Sequence, residues 1–155
     1  MKQEMDLGIE EGKQQQVADT LKKFLAESYA LYLKTQNYHW NVTGPNFAGL
    51  HALFEEQYTE LAEAIDAIAE RIRALGDTAP GSFKAFTELS EMTEPEATTA
   101  DAMITDLVIS NELIIRKARE FVHLAEESND AGTADFLTAR IEVHEKAAWM
   151  LRSSL

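Results

Sequence analysis

Apolar residues recur at three- and four-residue steps along most of the chain, the spacing that lines one face of an α-helix. From about Gln15 to Trp40 the stripe is Val17, Leu21, Phe24, Leu25, Leu31, Tyr32, Thr35 and Tyr38. It stops at NVTGP, where Gly44 and Pro45 end a helix and Asn46 can cap the next. A second stripe, Leu50, Phe54, Leu61, Ile65, Ile68, Ile72 and Leu75, predicts a helix from about Phe47 to Leu75, closed by Gly76. Between Asp77 and Glu96, Pro80, Gly81 and Pro95 forbid a long helix, although SFKAFTELS can form two short turns. The period resumes from about Thr99 to Glu127 through Ile104, Leu107, Val108, Ile114, Ile115, Ala118, Phe121 and Val122. After a break at Ser128 to Gly132 it returns from Thr133 to Ser153 with Phe136, Leu137, Ile141, Ala148 and Leu151. There is no strand-period alternation of any length and no internal repeat. The pattern predicts an all-α protein: a four-helix bundle with a short helix in the long crossover between helices 2 and 3. Residues 1–14 form a short acidic tail and 15–155 the bundle.

Composition narrows the class. One domain of 155 residues is large enough to bury a continuous core. With no Cys, disulfides and thiolate metal sites are excluded. No apolar run is long enough for a signal peptide or a membrane span, so a cytoplasmic protein is expected. The net charge of −13 repels nucleic acid and anionic membranes and attracts cations. Charge alone, however, explains no more than solubility.

Four polar residues change the picture. His39 and His51 are twelve positions apart, on either side of the first interhelical break, with His39 beside Tyr38 on the inward stripe. A single inward histidine is more often a hydrogen-bonded core residue than a ligand; a pair flanking a tight turn brings the two readings close to even. Asp66 and Glu70 in AIDAIAERI share a face of the second helix. Acidic residues on a helix usually meet water. At about 100° per residue, though, Asp66 falls on the same flank of the core stripe as His51, among Ala62 and Ala69. His51 and Asp66 lie about 22 Å apart along the helix axis, whereas metal–ligand bonds are about 2 Å. Either the two pairs are unrelated, or each is half of a site completed by a second subunit across a two-fold axis near Tyr58 or Thr59. Two imidazoles with two carboxylates suit Fe(II), Mn(II) or Zn(II), with coordination positions to spare.

The stretch HWNVTGPNFAGLHALFEEQYTELAEAIDAIAERIRALG, the crossover APGSFKAF and the ending HEKAAWMLRS resemble the Dps family, the mini-ferritins named as DNA-binding proteins from starved cells. The resemblance runs from about Ala18 to the C-terminus and implies a ferritin-like bundle that assembles through dimers into a hollow dodecamer. It further implies oxidation of Fe(II), preferentially with hydrogen peroxide, and storage of ferric oxyhydroxide, protecting against oxidative stress. His39 and His51 then supply one half of an intersubunit ferroxidase site with two iron positions, and Asp66 and Glu70 of the two-fold mate supply the other; Zn or Mn can substitute. Trp40 matches a Trp beside the first ligand, implied as a radical sink or electron relay, and Trp149 a similar position in the last helix; core packing explains both equally well. Acidic three-fold pores are implied around Glu126, Asp130 and Asp135, although a helix N-terminus also favours Asp near its dipole.

One departure concerns DNA. Some relatives bind it through a Lys- and Arg-rich tail, whereas here the first twelve residues set Lys2 against Glu4, Asp6, Glu10 and Glu11. Weak or absent DNA binding is therefore expected. A nucleoid-protecting shell with little ferroxidase activity is the alternative function. A ferritin with its di-iron site inside each bundle needs paired Glu-x-x-His motifs. Only Glu120-x-x-His123 occurs here.

Overall fold

The structure, a computed structural model, describes residues 2–155; Met1, the first residue of the expected tail, lies outside them. Five helices follow in order: α1 Glu11–Asn41, α2 Phe47–Ala74, α3 Phe83–Leu89, α4 Ala100–Glu127 and α5 Ala131–Arg152. No strand occurs among the described residues. The four long helices are the four predicted from periodicity, and α3 is the two-turn helix of the crossover. Helix α1 starts at Glu11, four residues before the expected start at Gln15 and six before Val17, the first residue of its apolar stripe. Its polar first turns are held by tertiary bonds: Gln14 Nε2 donates to the Leu75 carbonyl (2.7 Å) and Gln15 Nε2 to Asp77 Oδ2 (2.6 Å).

The inward stripes meet in one core. Leu21, Phe24, Leu31 and Tyr38 of α1 pack with Phe54, Ile68 and Ile72 of α2, Ile104, Leu107 and Ile114 of α4, and Leu137 and Leu151 of α5. All of these are almost fully buried, and Phe24 meets Phe121 edge-on at 6.3 Å. Helix α3 lies against α1, where Phe86 stacks on Tyr29.

The helix ends explain the turns. Gly76 takes φ +88° just past α2, with Gly76 N–H donating to the Arg73 carbonyl and Asp77 N–H to that of Ile72. These two bonds form a Schellman cap. The tail is tied to it, with Gln3 N–H donating to the Gly76 carbonyl (2.6 Å). Asn129, at φ +59°, closes α4 in the same way through Asn129 N–H to Glu126 and Asp130 N–H to Ala125. The expected cap at the start of α2 is different. The Asn46 side chain makes no capping bond, and the turn is closed by backbone alone, Phe47 N–H to the Gly44 carbonyl and Leu50 N–H to that of Asn46. Side-chain caps do occur at Ser82, Thr99 and Asp130, at the starts of α3, α4 and α5.

Buried ion pairs fasten the crossover to the bundle. Glu27, fully buried, accepts from Ser90 Oγ and Glu91 N–H and pairs with Lys117 (3.1 Å). Lys34, 1% exposed, pairs with Asp106 (3.1 Å) and donates to Thr93 Oγ1 and Ser110 Oγ, both at 3.0 Å. Burial and the hydrogen bond to Asp106 raise the Tyr38 phenol well above its ordinary range, so it stays a donor.

Candidate metal centre

The reversal between α1 and α2 creates the site. Gly44 takes φ +114° in the turn, which brings the second turn of α2 beside the end of α1. There His39 Nδ1 lies 2.7 Å from the His51 carbonyl, and His51 Nδ1 lies 2.8 Å from the His39 carbonyl. A carbonyl only accepts, so both Nδ1 atoms carry the hydrogen, and each neutral ring keeps its Nε2 lone pair free. The rings stack at 3.8 Å with 14° between planes. Phe47 stacks on His51 at 5.0 Å and the edge of Tyr58 meets His39 at 5.2 Å, so both rings are held from two sides. Histidines that ligate metals are oriented in this manner, with one nitrogen fixed by a carbonyl and the other left for the ion. The core-histidine reading leaves the two Nε2 atoms without a role.

Asp66 and Glu70 are exposed on α2, more than three turns beyond His51. Among the described residues, no three His, Asp or Glu side chains gather at a possible metal position. One subunit therefore presents a nitrogen pair and an oxygen pair that it does not bring together.

Trp40 and Trp149 are each 60% exposed, so within the subunit neither is a core residue. Glu126 and Asp135 are exposed, as a channel lining requires. Asp130 is not: it is 2% exposed, caps α5 through Thr133 N–H (3.0 Å), accepts from Thr133 Oγ1 and pairs with Arg71 (2.8 Å). Its carboxylate is turned into the α4–α5 corner and is held there, so the helix-start explanation accounts for it. Arg71, which packs across Gly132 to reach it, carried no signal in the sequence beyond its charge.

A second polar group sits in the bundle interior. Arg140 forms a bidentate pair with Glu60 and donates from Nη2 to His144 Nε2 (3.1 Å). His144 Nδ1 then donates to Asn111 Oδ1 (2.9 Å). Sequence reasoning missed this chain because His144 and Arg140 share an otherwise ordinary amphipathic helix. Its only acid is held by a guanidinium. Glu120 and His123 are exposed, and His123 meets Glu127, so they offer nothing to a di-iron site inside the bundle.

Burial, reinforced by the Arg140 charge, pushes the His144 imidazole down to about 3. An unfolded histidine titrates near about 6.5, so His144 favours the folded state fully above that pH. The contribution is lost as pH falls towards 3, at about 1.4 kcal/mol per pH unit. Thermal unfolding of His144→Gln should therefore depend less on pH than the wild type between about pH 6 and pH 4; parallel curves would contradict the assignment.

The chain matches the ferritin-like domain model over residues 18–155. It is 45% identical to a low-temperature-induced protein of Nostoc, covering 96% of this chain and 85% of that one. It is 38% identical to DNA protection during starvation protein 2 of Bacillus anthracis, covering 90% and 97%. The fold superposes on the crystal structure of a Dps protein from Vibrio cholerae, described as a member of the ferritin-like diiron-carboxylate superfamily, with a TM-score of 0.91 at 32% identity over 97% of this chain and 98% of that one. On its sequence and on its fold, the chain belongs to the Dps family of ferritin-like proteins.

Proposed function

We propose that this protein oxidises Fe(II), preferentially with hydrogen peroxide, and stores the ferric product inside a closed shell of identical subunits. The observation that carries the reading is the histidine pair: two Nε2 atoms on clamped rings, which Asp66 and Glu70 of the same chain do not join. An antiparallel pairing of α2 about a two-fold axis sets His39 and His51 of one copy against Asp66 and Glu70 of the other, twice per dimer. Imidazole holds Fe(II) moderately and carboxylate favours Fe(III), so the mixed set suits iron that changes charge during turnover. Zn or Mn would fit the same donors. Two Fe(II) supply both electrons that peroxide needs, so water rather than hydroxyl radical is the product. A dodecamer, a cytoplasmic location and a role in oxidative stress belong to the same reading. So does passage of iron through three-fold channels lined by Glu126 and Asp135, because rings of carboxylates concentrate cations.

Trp40, next to His39 and exposed, would serve as an oxidisable ring near the iron. Protection of DNA by direct binding is the second reading, favoured by the name of the Bacillus anthracis relative. The acidic tail and the bond from Gln3 to Gly76 oppose it, since the tail offers phosphates few cations and is fastened to its own subunit.

Iron loading beside a DNA gel shift separates the two. The expected result is a particle that consumes one peroxide per two Fe(II), keeps the ferric product through gel filtration, and leaves DNA unshifted at physiological salt. Iron left as free precipitate, or a tight DNA complex, would overturn the first reading in favour of the second.

A further inference from the structure

A cavity opens beside the buried Arg140–His144–Asn111 chain. It takes up about 220 Å³ between α2 and α5 and reaches down to α1 and α4. The Arg140–Glu60 pair stands at one end, and Gln57 Nε2 reaches across to the Ala147 carbonyl (3.4 Å). The walls are apolar, built from Leu31, Leu53, Leu61, Val143, Ala147 and Met150. The floor is not. Thr35, Asn111 and His144 line it, each at most 3% exposed. His144 has both ring nitrogens engaged. Asn111 Oδ1 accepts from His144 and Nδ2 donates to the Leu107 carbonyl (2.8 Å), which leaves, among the described residues, one amide hydrogen without an acceptor. Thr35 Oγ1 donates to the Leu31 carbonyl (2.7 Å) and keeps its own lone pairs. A buried donor and a buried acceptor thus meet at the floor of an apolar slot. On α2 the slot lies away from the metal centre. At about 100° per residue, Leu53, Gln57, Glu60 and Leu61 centre roughly 170° round the helix from His51, Asp66 and Glu70. The copy that completes the metal centre therefore leaves this side of α2 alone.

We propose that this slot binds one uncharged, single-ring phenol per subunit, with the ring between α2 and α5 and the hydroxyl at the floor. There the phenol oxygen accepts from Asn111 Nδ2 and its hydrogen goes to Thr35 Oγ1. Charge selects a neutral ligand. Arg140 neutralises Glu60, burial keeps the His144 imidazole uncharged, and the exposed Glu56 and Lys146 oppose each other at the mouth. A buried carboxylate or ammonium would find no counter-charge at the floor, and an ion without one is too costly to bury. Volume selects the size. An apolar cavity of about 150 Å³ takes up benzene, so this one holds a single ring with a small substituent and no long chain. Met150 favours an aromatic ring over an aliphatic one, because its polarisable sulfur interacts well with ring edges. The hydroxyl is what the two floor atoms select, since an unsubstituted ring would leave both unpaired.

Phenol itself is the probe, titrated by calorimetry into the assembled, iron-free particle, with toluene, benzoate and benzylammonium beside it. The wild type should bind one phenol per subunit and neither ion measurably. Ala147→Leu and Val143→Phe each fill the slot from α5, and each should weaken phenol at least about tenfold, which is the loss of most of the ring's apolar contact. Two filling variants are made so that one that fails to assemble leaves the other to decide. Thr35→Val keeps the shape and removes the acceptor. Phenol should then bind about fivefold more weakly, the worth of one neutral hydrogen bond, while toluene binds as before. Gel filtration of the same samples reports whether each particle is intact. No phenol binding to the wild type at several millimolar, phenol binding undiminished in an intact filling variant, benzoate bound as tightly as phenol, or an equal effect of Thr35→Val on phenol and toluene would overturn the proposal. Because the slot and the histidine pair lie on opposite sides of α2, each of these results leaves the metal centre standing.

Discussion

Asp66→Ala and His51→Ala should each slow peroxide-driven Fe(II) oxidation by about 100-fold while the particle still assembles. Partners that merely orient a metal ligand are worth about 10–100-fold, so loss of a donor atom itself belongs at the upper end of that range. Assembly should survive because Asp66 is exposed and His51, only half-buried, anchors no hydrophobic layer. The two histidines are not equivalent to generic ligands. Each ring is held by the other's backbone carbonyl, which alanine keeps, so His51→Ala leaves the His39 Nδ1 bond in place and removes the stacked ring with its Nε2. Asp66→Asn isolates the charge, because it keeps the size and one acceptor while removing the negative charge that favours Fe(III). Stopped-flow iron oxidation with light scattering on the same samples checks both halves of the prediction. Unchanged rates in both alanine variants would remove the site assignment.

The largest loss of stability is expected from Asp106→Ala. Lys34 is 1% exposed, and among the described residues its only ion pair is with Asp106; Tyr38 donates to the same carboxylate at 2.5 Å. Removing Asp106 leaves a buried ammonium with two hydroxyl acceptors and no counter-charge. Breaking a buried pair from one side costs about 3–5 kcal/mol, and because Asp106 is itself 22% exposed the lower end applies. At about 2–4 °C per kcal/mol for a chain of this size, thermal unfolding should move down by roughly 6–12 °C. Lys34→Met in the same chain should recover part of the loss, since the charge is then gone as well. A double variant as unstable as Asp106→Ala alone would show that the Tyr38 and Thr93 contacts, not the buried charge, set the cost.

The division between what is legible in the sequence and what is not has a physical basis. Helix positions follow from apolar spacing, which is local, so α1, α2, α4 and α5 can be placed from the order of residues alone. Gly76 can be read as a cap because glycine takes the positive φ of a helix end more readily than residues with a Cβ. The histidine pair is legible as a pair, but its clamping is not, because the reciprocal carbonyl bonds depend on how tightly the Gly44 turn folds back. Asp130 shows the opposite failure. Its position suggests a channel, yet its direction is decided by Arg71, fifty-nine residues away in the chain. The Arg140–His144–Asn111 chain is invisible for the same reason, since its members and Glu60 come from three helices that meet only in the fold.

Co-assembly of two inactive variants tests the metal centre most directly. His39→Ala/His51→Ala and Asp66→Ala/Glu70→Ala chains are mixed in equal amounts, dissociated and reassembled, and iron oxidation is measured against each variant alone. If the sites are shared across a two-fold axis, each mixed dimer regains one intact site, and random pairing restores about a quarter of wild-type activity. No recovery in particles shown to contain both chains would mean that the imidazoles and carboxylates do not serve a common ion.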